Sequence, residues 1–334
     1  MGTVAFVTVI GLVALLVYMA RYSGRLRVTQ TRLIDAPIDK VYALVADFRA
    51  WALWNPWLEH EPEARVTLSE STADDGSAYG WDGARAGRGT VVHRRMVAGR
   101  SIEQRLRFEQ PFRIRGHGHW QFAEREGKTE VTWSMTGRVA FALRAFAPTV
   151  QGMIALDHRY GLDRLARLLE PAAAPRYSLD YLGVRDIPAG CYVYRSYSGT
   201  LAGLADGLRG GFAELRGQLD GAGLQASAAP IAIYVRTNFK LRTTDCYLGI
   251  PVAKAEPGRL PLREMPAHSA YVLRLQGSQA ALEVAWYQLM QRMRVEAVRA
   301  DPRIPPFERY PGHFDTVAES DRVIELHLPV RRRA

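Results

Sequence analysis

Two stretches in the second half of the chain repeat one another, and this repeat limits the possible folds more than any other feature. Residues 185–189 read RDIPA and residues 263–267 read REMPA, an offset of 78 residues. The same offset relates GIPV at 249–252 to HLPV at 327–330. A repeat of this length indicates one supersecondary unit used twice.

Each copy has the pattern strand, strand, helix, strand, strand. Alternating apolar residues mark the strands, and residues 201–224 and 279–300 have the spacing of amphipathic helices. Two such units are expected to pair into one sheet about a pseudo-two-fold axis, with a groove where the halves meet.

The two copies differ at two acidic positions. Glu325 corresponds to Tyr247, and Glu308 corresponds to Ala232 after a shift of two residues. Strand packing therefore requires neither carboxylate, and we expect both to face the groove. The aromatic residues expected beside them are Tyr234, Tyr247, Trp286, Phe307 and Tyr310.

A carboxylate in an aromatic groove is costly to desolvate unless a positive group pairs with it. Arg309, Arg236 or a bound cation could be that partner. The alternative is that both glutamates are solvated surface charges.

Residues 176–331 resemble the GyrI-like (SOUL/AraC-effector-binding-like) domain. The matching segments are SYSG, TDCYLGIPV, REMPA, QGS before a tryptophan-containing helix, FERY and IELHLPV. The resemblance implies binding of lipophilic, often cationic, small molecules; some members serve an attached DNA-binding domain and some hydrolyse electrophilic natural products. The histidine of an HxGxY-like segment in the second repeat is absent here, because the corresponding stretch reads LRLQGSQAA.

The first half of the chain has a different pattern. A strand at 28–34 precedes a helix that begins near Pro37. Short alternating strands follow over 64–140, and a long helix comes last, with its apolar stripe between Val150 and Leu169. This order predicts an α+β unit whose long helix lies across a curved sheet.

Residues 26–170 resemble the SRPBCC (START-like or polyketide-cyclase-like) helix-grip fold. The segments that carry the resemblance are APIDKVYALVADFRAWALWNPW, AYGWDG, RGTVV and KTEVTWSMTG. It implies an interior cavity for a hydrophobic ligand and does not imply a reaction. The candidate lining residues are Trp54, Trp81, Trp120 and Trp133, for which packing in the core and rim is the alternative.

The predicted fold class is therefore α+β: a helix-grip domain at 26–170, a linker at 171–175 (PAAAP) and a duplicated β-β-α-β-β domain at 176–331. Residues 3–21 precede them as a predicted transmembrane anchor, because residues 4–20 carry no charge and span about 26 Å as a helix. A cleaved signal peptide is the alternative, but a basic leading region and a small-residue cleavage site are missing. The arginines that follow favour cytoplasmic soluble domains on a single-pass membrane protein.

The chain has a formal net charge of +10, and its arginines are scattered along the sequence. No helix-turn-helix, zinc-finger or RNP-type pattern occurs, so an anionic membrane explains the charge better than nucleic acid. His117 and His119 share a strand face without a third ligand nearby, and Cys191 and Cys246 lack metal-binding spacing. We predict no metal and no cofactor, and leave one disulfide open.

Together these features predict a membrane-anchored protein that binds lipophilic small molecules, cationic ones included, for sequestration or sensing. The alternative is a hydrolase in which Glu308 or Glu325 acts as the acid–base group, with Tyr310 or Tyr247 as hydrogen-bond donor.

Overall fold

The computed structural model describes residues 20–21, 23–57, 61–84, 86–110, 113–170, 177–238, 241–253, 260–312 and 317–331. The chain divides into two compact units, 1–174 and 175–334, and the division falls within the predicted linker. The linker itself and nearly all of the predicted anchor lie outside the described residues. Among the described helices, none combines the length and apolar character needed to cross a bilayer.

Unit 1 contains a seven-stranded antiparallel sheet in the order β1-β7-β6-β5-β4-β3-β2. The strands are β1 Arg25–Ile34, β2 Arg65–Leu68, β3 Ala78–Gly83, β4 Gly87–Val97, β5 Ser101–Gln110, β6 Ile114–Arg125 and β7 Lys128–Arg138. The helices are α1 Ile38–Ala46, α2 Trp51–Trp54 and α3 Ala147–Leu169, with 3-10 turns at Phe48–Ala50 and Phe141–Phe146.

The predicted elements of unit 1 form for local reasons. Pro37 caps α1 in an extended conformation, at the position where its missing N–H costs nothing. Helix α3 buries Leu162 and Leu165 against the sheet, as its apolar stripe predicts. Arg32 on β1 pairs with Asp163 and Glu170, which holds the second half of α3 to the edge strand.

Unit 2 contains an eight-stranded antiparallel sheet in the order β12-β9-β11-β10-β14-β15-β13-β8. The strands are β8 Tyr177–Ile187, β9 Gly190–Thr200, β10 Ile231–Asn238, β11 Thr243–Val252, β12 Leu262–Met265, β13 His268–Gly277, β14 Phe307–Arg309 and β15 Val323–Val330. The helices are α4 Leu204–Gly221 and α5 Leu282–Val295, with 3-10 turns at Gln279–Ala281 and Glu319–Asp321.

The element order of unit 2 is strand, strand, helix, strand, strand in each half, as the sequence pattern indicates. The first strand of each half pairs with the second strand of the other, β12 with β9 and β8 with β13. The two halves also meet at the centre of the sheet, where β10 pairs with β14. The duplication itself stays a prediction.

The two faces of this sheet differ. Helices α4 and α5 cover the helix face, whose core includes Ala232, Leu248, Leu273 and Leu326. A Cβ added at Gly211 of α4 would lie 2.3 Å from a methyl carbon of Leu248, so glycine permits this close approach. The opposite face, here called the tyrosine face, carries Tyr192, Tyr194 and Tyr247 beside a smaller apolar cluster.

Candidate functional site: a buried carboxylate at the centre of the second sheet

Glu308 lies on the helix face where the two halves of the unit 2 sheet meet. Its direct cross-strand neighbours are Ala232 on β10 and Leu326 on β15. Ala232 is also its counterpart in the predicted repeat, and the two positions face each other across the central strand pair. Because paired side chains are only about 5 Å apart, the small alanine leaves room for the glutamate.

Three neutral donors surround the Glu308 carboxylate, and its side chain is 0 % exposed. Trp286 Nε1 donates to Oε1 at 2.7 Å, and the Tyr234 hydroxyl donates to Oε2 at 2.8 Å. The Tyr310 hydroxyl donates to the same Oε2. These donors come from α5, β10 and the end of β14, so the site requires both halves of the sheet.

Burial is the main influence on ionisation at this site. It raises the pKa of Glu308, whereas the three hydrogen bonds oppose that rise. Burial, together with the Glu308 charge, also raises the pKa of Tyr234 and Tyr310 well above the usual range. Both hydroxyls therefore remain protonated and available as donors at neutral pH.

No cation compensates Glu308 among the residues that the structure describes. Arg236, one expected partner, binds Asp245 at 3.1 Å. Arg309, the other, lies opposite Glu325 in the strand register and not on the helix face. Glu308 is thus a buried carboxylate that is solvated by hydrogen bonds but unmatched in charge, and the surface-charge alternative is wrong for it.

Aromatic rings line this part of the helix face. Trp286 meets Tyr234 edge-on with ring centroids 6.3 Å apart, and Phe212 contacts Tyr310 at 5.6 Å. Tyr310 is buried, whereas Tyr234 and Trp286 are partly exposed. The partly exposed pair therefore lies between solvent and the carboxylate.

Glu325 occupies a different environment on the tyrosine face, and the expectation that it shares a groove with Glu308 is wrong. It interacts with His327 at 3.7 Å and accepts from Arg274 Nη2 at 2.9 Å. These two contacts, of which the one with His327 has the larger effect, lower the pKa of Glu325 to about 2, although burial opposes this change. Arg274 was not foreseen, although its position between leucines in the VLRLQ stretch marks it as a residue of the opposite strand face.

The side chains of Phe307 and Tyr247 also belong to the tyrosine face, opposite the Glu308 carboxylate. The Phe307 ring stacks on His327 at 4.4 Å. Tyr247 packs edge-on against Tyr194, and the Arg263 guanidinium lies 4.0 Å from the Tyr247 ring centroid. Strand alternation causes this separation, because adjacent residues of a strand point to opposite faces.

In unit 1 the four candidate tryptophans are buried, and three of them contact one another directly. Trp120 and Trp133 stack at 4.3 Å, and Trp54 meets both edge-on. Trp81 packs in the same cluster. This arrangement agrees with the packing alternative rather than with cavity lining. Two depressions of about 600 and 550 Å³ in unit 1 are lined by other residues.

Buried polar side chains that the sequence did not single out also lie in this core. Trp120 donates to Gln104, Gln104 lies 3.3 Å from His93 Nδ1, and His93 Nε2 lies 2.9 Å from the Ala46 carbonyl. His158 stacks on Trp133 at 3.8 Å, and burial lowers its pKa to about 3. Both histidines are therefore neutral at physiological pH.

The described residues contain no group of three or more His, Cys, Asp or Glu that could hold a metal ion. His117 and His119 lie on one strand face of β6, as their spacing predicts, and His117 is exposed. Cys191 and Cys246 are both free thiols, so the disulfide left open by the sequence does not form.

Residues 25–170 match the family described as polyketide cyclase / dehydrase and lipid transport. No curated protein matches the chain. One similar solved structure is protein CV1439 from Chromobacterium violaceum, at 19% identity over 43% of this chain and 97% of that chain, with a TM-score of 0.35. A second is EcmrR in a complex with DNA, at 17% identity over 58% of this chain and 73% of that chain, with a TM-score of 0.40. A third is the EcmrR C-terminal domain, at 17% identity over 47% of this chain and 99% of that chain, with a TM-score of 0.38.

The family match agrees with the SRPBCC resemblance of the first unit and indicates a small-molecule-binding role. The GyrI-like resemblance of residues 176–331 and the expectation that the chain does not bind nucleic acid both stay predictions.

Proposed function

We propose that unit 2 binds a lipophilic cation and that Glu308 supplies the opposing charge. The supporting observation is the buried Glu308 carboxylate with three neutral donors and no cation beside it in the described structure. Burying a carboxylate without a countercharge destabilises a fold, so its presence at a position where the other repeat has alanine requires a compensating benefit. A cationic ligand provides that benefit.

The chemistry of the site selects an aromatic or otherwise lipophilic cation. A charge pair about 4 Å apart is worth roughly 4 kcal/mol at the dielectric of a partly buried site, before desolvation is subtracted. A cation over the Trp286 or Tyr234 ring adds about 0.5–2 kcal/mol. Trp286 and Tyr234 are partly exposed, so a movement of these two side chains would bring the carboxylate into contact with a ligand.

The complete proposal is a binding protein for lipophilic compounds that is anchored to a membrane by residues 3–21. The small-molecule-binding family matched by residues 25–170 supports a binding role for unit 1 as well. The uncharged segment at 4–20 and the arginines after it support attachment to the membrane, with both units on the cytoplasmic side.

A matched pair of variants tests the role of Glu308. We expect Glu308→Gln to weaken binding of a lipophilic aromatic cation by about ten- to a hundredfold, since one charged interaction is lost. Binding of a neutral molecule of the same shape should change much less. Isothermal titration calorimetry with both ligands measures the contrast.

Glu325→Gln is the control, because it makes the same chemical change on the opposite face of the sheet. It should change the affinity for the cation much less than Glu308→Gln does, because the Glu325 carboxylate points to the other face and already has Arg274 as its cation. Equal losses for cation and neutral analogue in Glu308→Gln would contradict the proposed countercharge.

A second candidate function is hydrolysis of a reactive lipophile at the same carboxylate. The raised pKa of Glu308, caused by burial, and the hydroxyl of Tyr310 on its Oε2 favour an acid–base pair. Tyr247 and Glu325 cannot take part in this mechanism, because they lie on the tyrosine face.

Mass spectrometry after incubation with electrophilic lipophiles separates the two functions. Addition of water, seen as a gain of its mass, that disappears in Glu308→Gln would establish the hydrolase. Unchanged compound recovered from a tight complex would establish the binding protein.

A further inference from the structure

The outer face of the unit 1 sheet gathers arginines that are far apart in the sequence. Arg25, Arg138, Arg115 and Arg107 lie directly opposite one another on the adjacent strands β1, β7, β6 and β5. Three strand spacings separate the ends of this row, a distance of about 14 Å. The arginines of unit 1 are therefore scattered along the sequence but grouped on one face of the folded sheet.

A second row lies beside the first on the same face. Arg27, Thr136, His117 and Arg105 occupy it in strand order. The eight positions of the two rows thus hold six arginines and no carboxylate. We call these six residues the arginine face: Arg25, Arg27, Arg105, Arg107, Arg115 and Arg138.

All six side chains of the arginine face are exposed, and none forms an ion pair with another described residue. Nearby Glu109 is already paired with Arg88 at 3.3 Å. Like charges placed directly opposite one another in a sheet are destabilising. The arrangement therefore opposes folding stability, and an external anion relieves the repulsion.

The surface also has a concave part. A depression of about 550 Å³ runs across β1, β7 and β6 and is lined by Arg25, Arg27, Arg115, Arg138 and His117. Guanidinium groups bind phosphate and carboxylate oxygens through paired donors, so this open depression fits the oxygens of a phosphate group.

The proposed membrane anchor, on which this inference rests, favours a lipid headgroup as the source of that phosphate. The uncharged segment at 4–20 ends five residues before Arg25, and five extended residues span about 17 Å. If this segment lies in a bilayer, the arginine face begins within that distance of its surface. The two rows contain no Phe, Tyr or Trp on which nucleic acid bases could stack, which disfavours a single-stranded nucleic acid.

We propose that the arginine face docks unit 1 on the phosphate headgroups of an anionic phospholipid membrane. Each arginine near such a surface strengthens docking by about fivefold. Six of them on one face hold the unit against the bilayer, and high salt releases it.

The test uses the full chain reconstituted with vesicles of phosphatidylcholine, with or without phosphatidylglycerol. A fluorophore is attached at Thr29→Cys, an exposed position of β1 next to the arginine face, after replacement of the two free cysteines. Energy transfer to headgroup-labelled lipid reports how close the face lies to the membrane. We expect strong transfer with phosphatidylglycerol at low salt and weak transfer with phosphatidylcholine alone or at high salt.

Arg115→Gln/Arg138→Gln should weaken docking by about twenty-five-fold and lower the transfer seen with phosphatidylglycerol. Arg25→Gln/Arg27→Gln on the edge strand is a second pair, should the first disturb folding. The control Arg65→Gln/Arg125→Gln removes the same charge at exposed positions of β2 and the far end of β6, and should leave the transfer unchanged.

Transfer that is independent of phosphatidylglycerol, or equal in the arginine pairs and the control, would overturn the proposal. So would binding of a single-stranded oligonucleotide that depends on the same arginines while the lipid signal does not.

Discussion

Glu308 and Glu325 lie on paired strands but on opposite faces of one sheet, and the two faces give the same side chain opposite chemistry. Glu308 has neutral donors, no cation and a pKa that burial raises. Glu325 has His327 and Arg274 beside it and a pKa lowered to about 2. A carboxylate paired with a cation is explained by the structure alone, whereas an unmatched buried carboxylate points to a ligand.

The largest expected effect comes from making the two halves of the sheet alike. Ala232→Glu places a second carboxylate directly opposite Glu308 in a buried site. Two carboxylates this close together in a buried site cannot both ionise. If they are protonated instead, two carboxyl groups still have to fit into a space that holds one. We expect a loss of about 4 kcal/mol in the free energy of unfolding, measured by urea denaturation at pH 7.

Ala232→Leu separates charge from volume in this prediction. Overpacking by an apolar side chain should cost about 1–3 kcal/mol. Equal losses in the two variants would mean that volume alone decides, and that the asymmetry of the repeat is not electrostatic.

The next effect concerns the paired glutamate. Glu325→Gln should lower the free energy of unfolding by about 1–3 kcal/mol at pH 7, because it leaves Arg274 and buried His327 without their carboxylate. A folded-state pKa below the ordinary 4.5 stabilises the fold above pH 4.5, and this contribution is lost as the pH falls from there to about 2. The variant and the wild type should therefore converge in urea titrations at acidic pH.

The smallest effect, with the opposite sign, is expected for Glu308→Gln without ligand. A folded-state pKa raised above 4.5 destabilises the fold as the pH rises from 4.5 towards the folded value. The variant should therefore become more stable than the wild type over that range, and glutamine can still accept from Trp286. Urea titrations at several pH values measure the difference in the free energy of unfolding. If the wild type becomes more stable relative to the variant as the pH rises, the pKa of Glu308 is not raised by folding.

Several features of this fold could be predicted from the sequence because their causes are local. The strand at β1, the helix after Pro37 and the stripe of α3 follow from residue spacing and capping. Comparison of the two predicted repeats singled out Glu308 and its counterpart Ala232, and the structure brings Tyr234, Trp286 and Tyr310 around Glu308.

What the sequence could not decide is the placement of residues on strands that are distant along the chain. A strand's alternation shows that Glu325 and His327 share a face, but the pairing of Glu308 with Leu326 decides that this face is not the one that carries Glu308. The arginine face has the same cause: alternating arginines are visible at 25–27, 105–107 and 113–115, yet only the register of four strands aligns them. Alternation is fixed by the local backbone, whereas register depends on contacts between segments that only the folded sheet brings together.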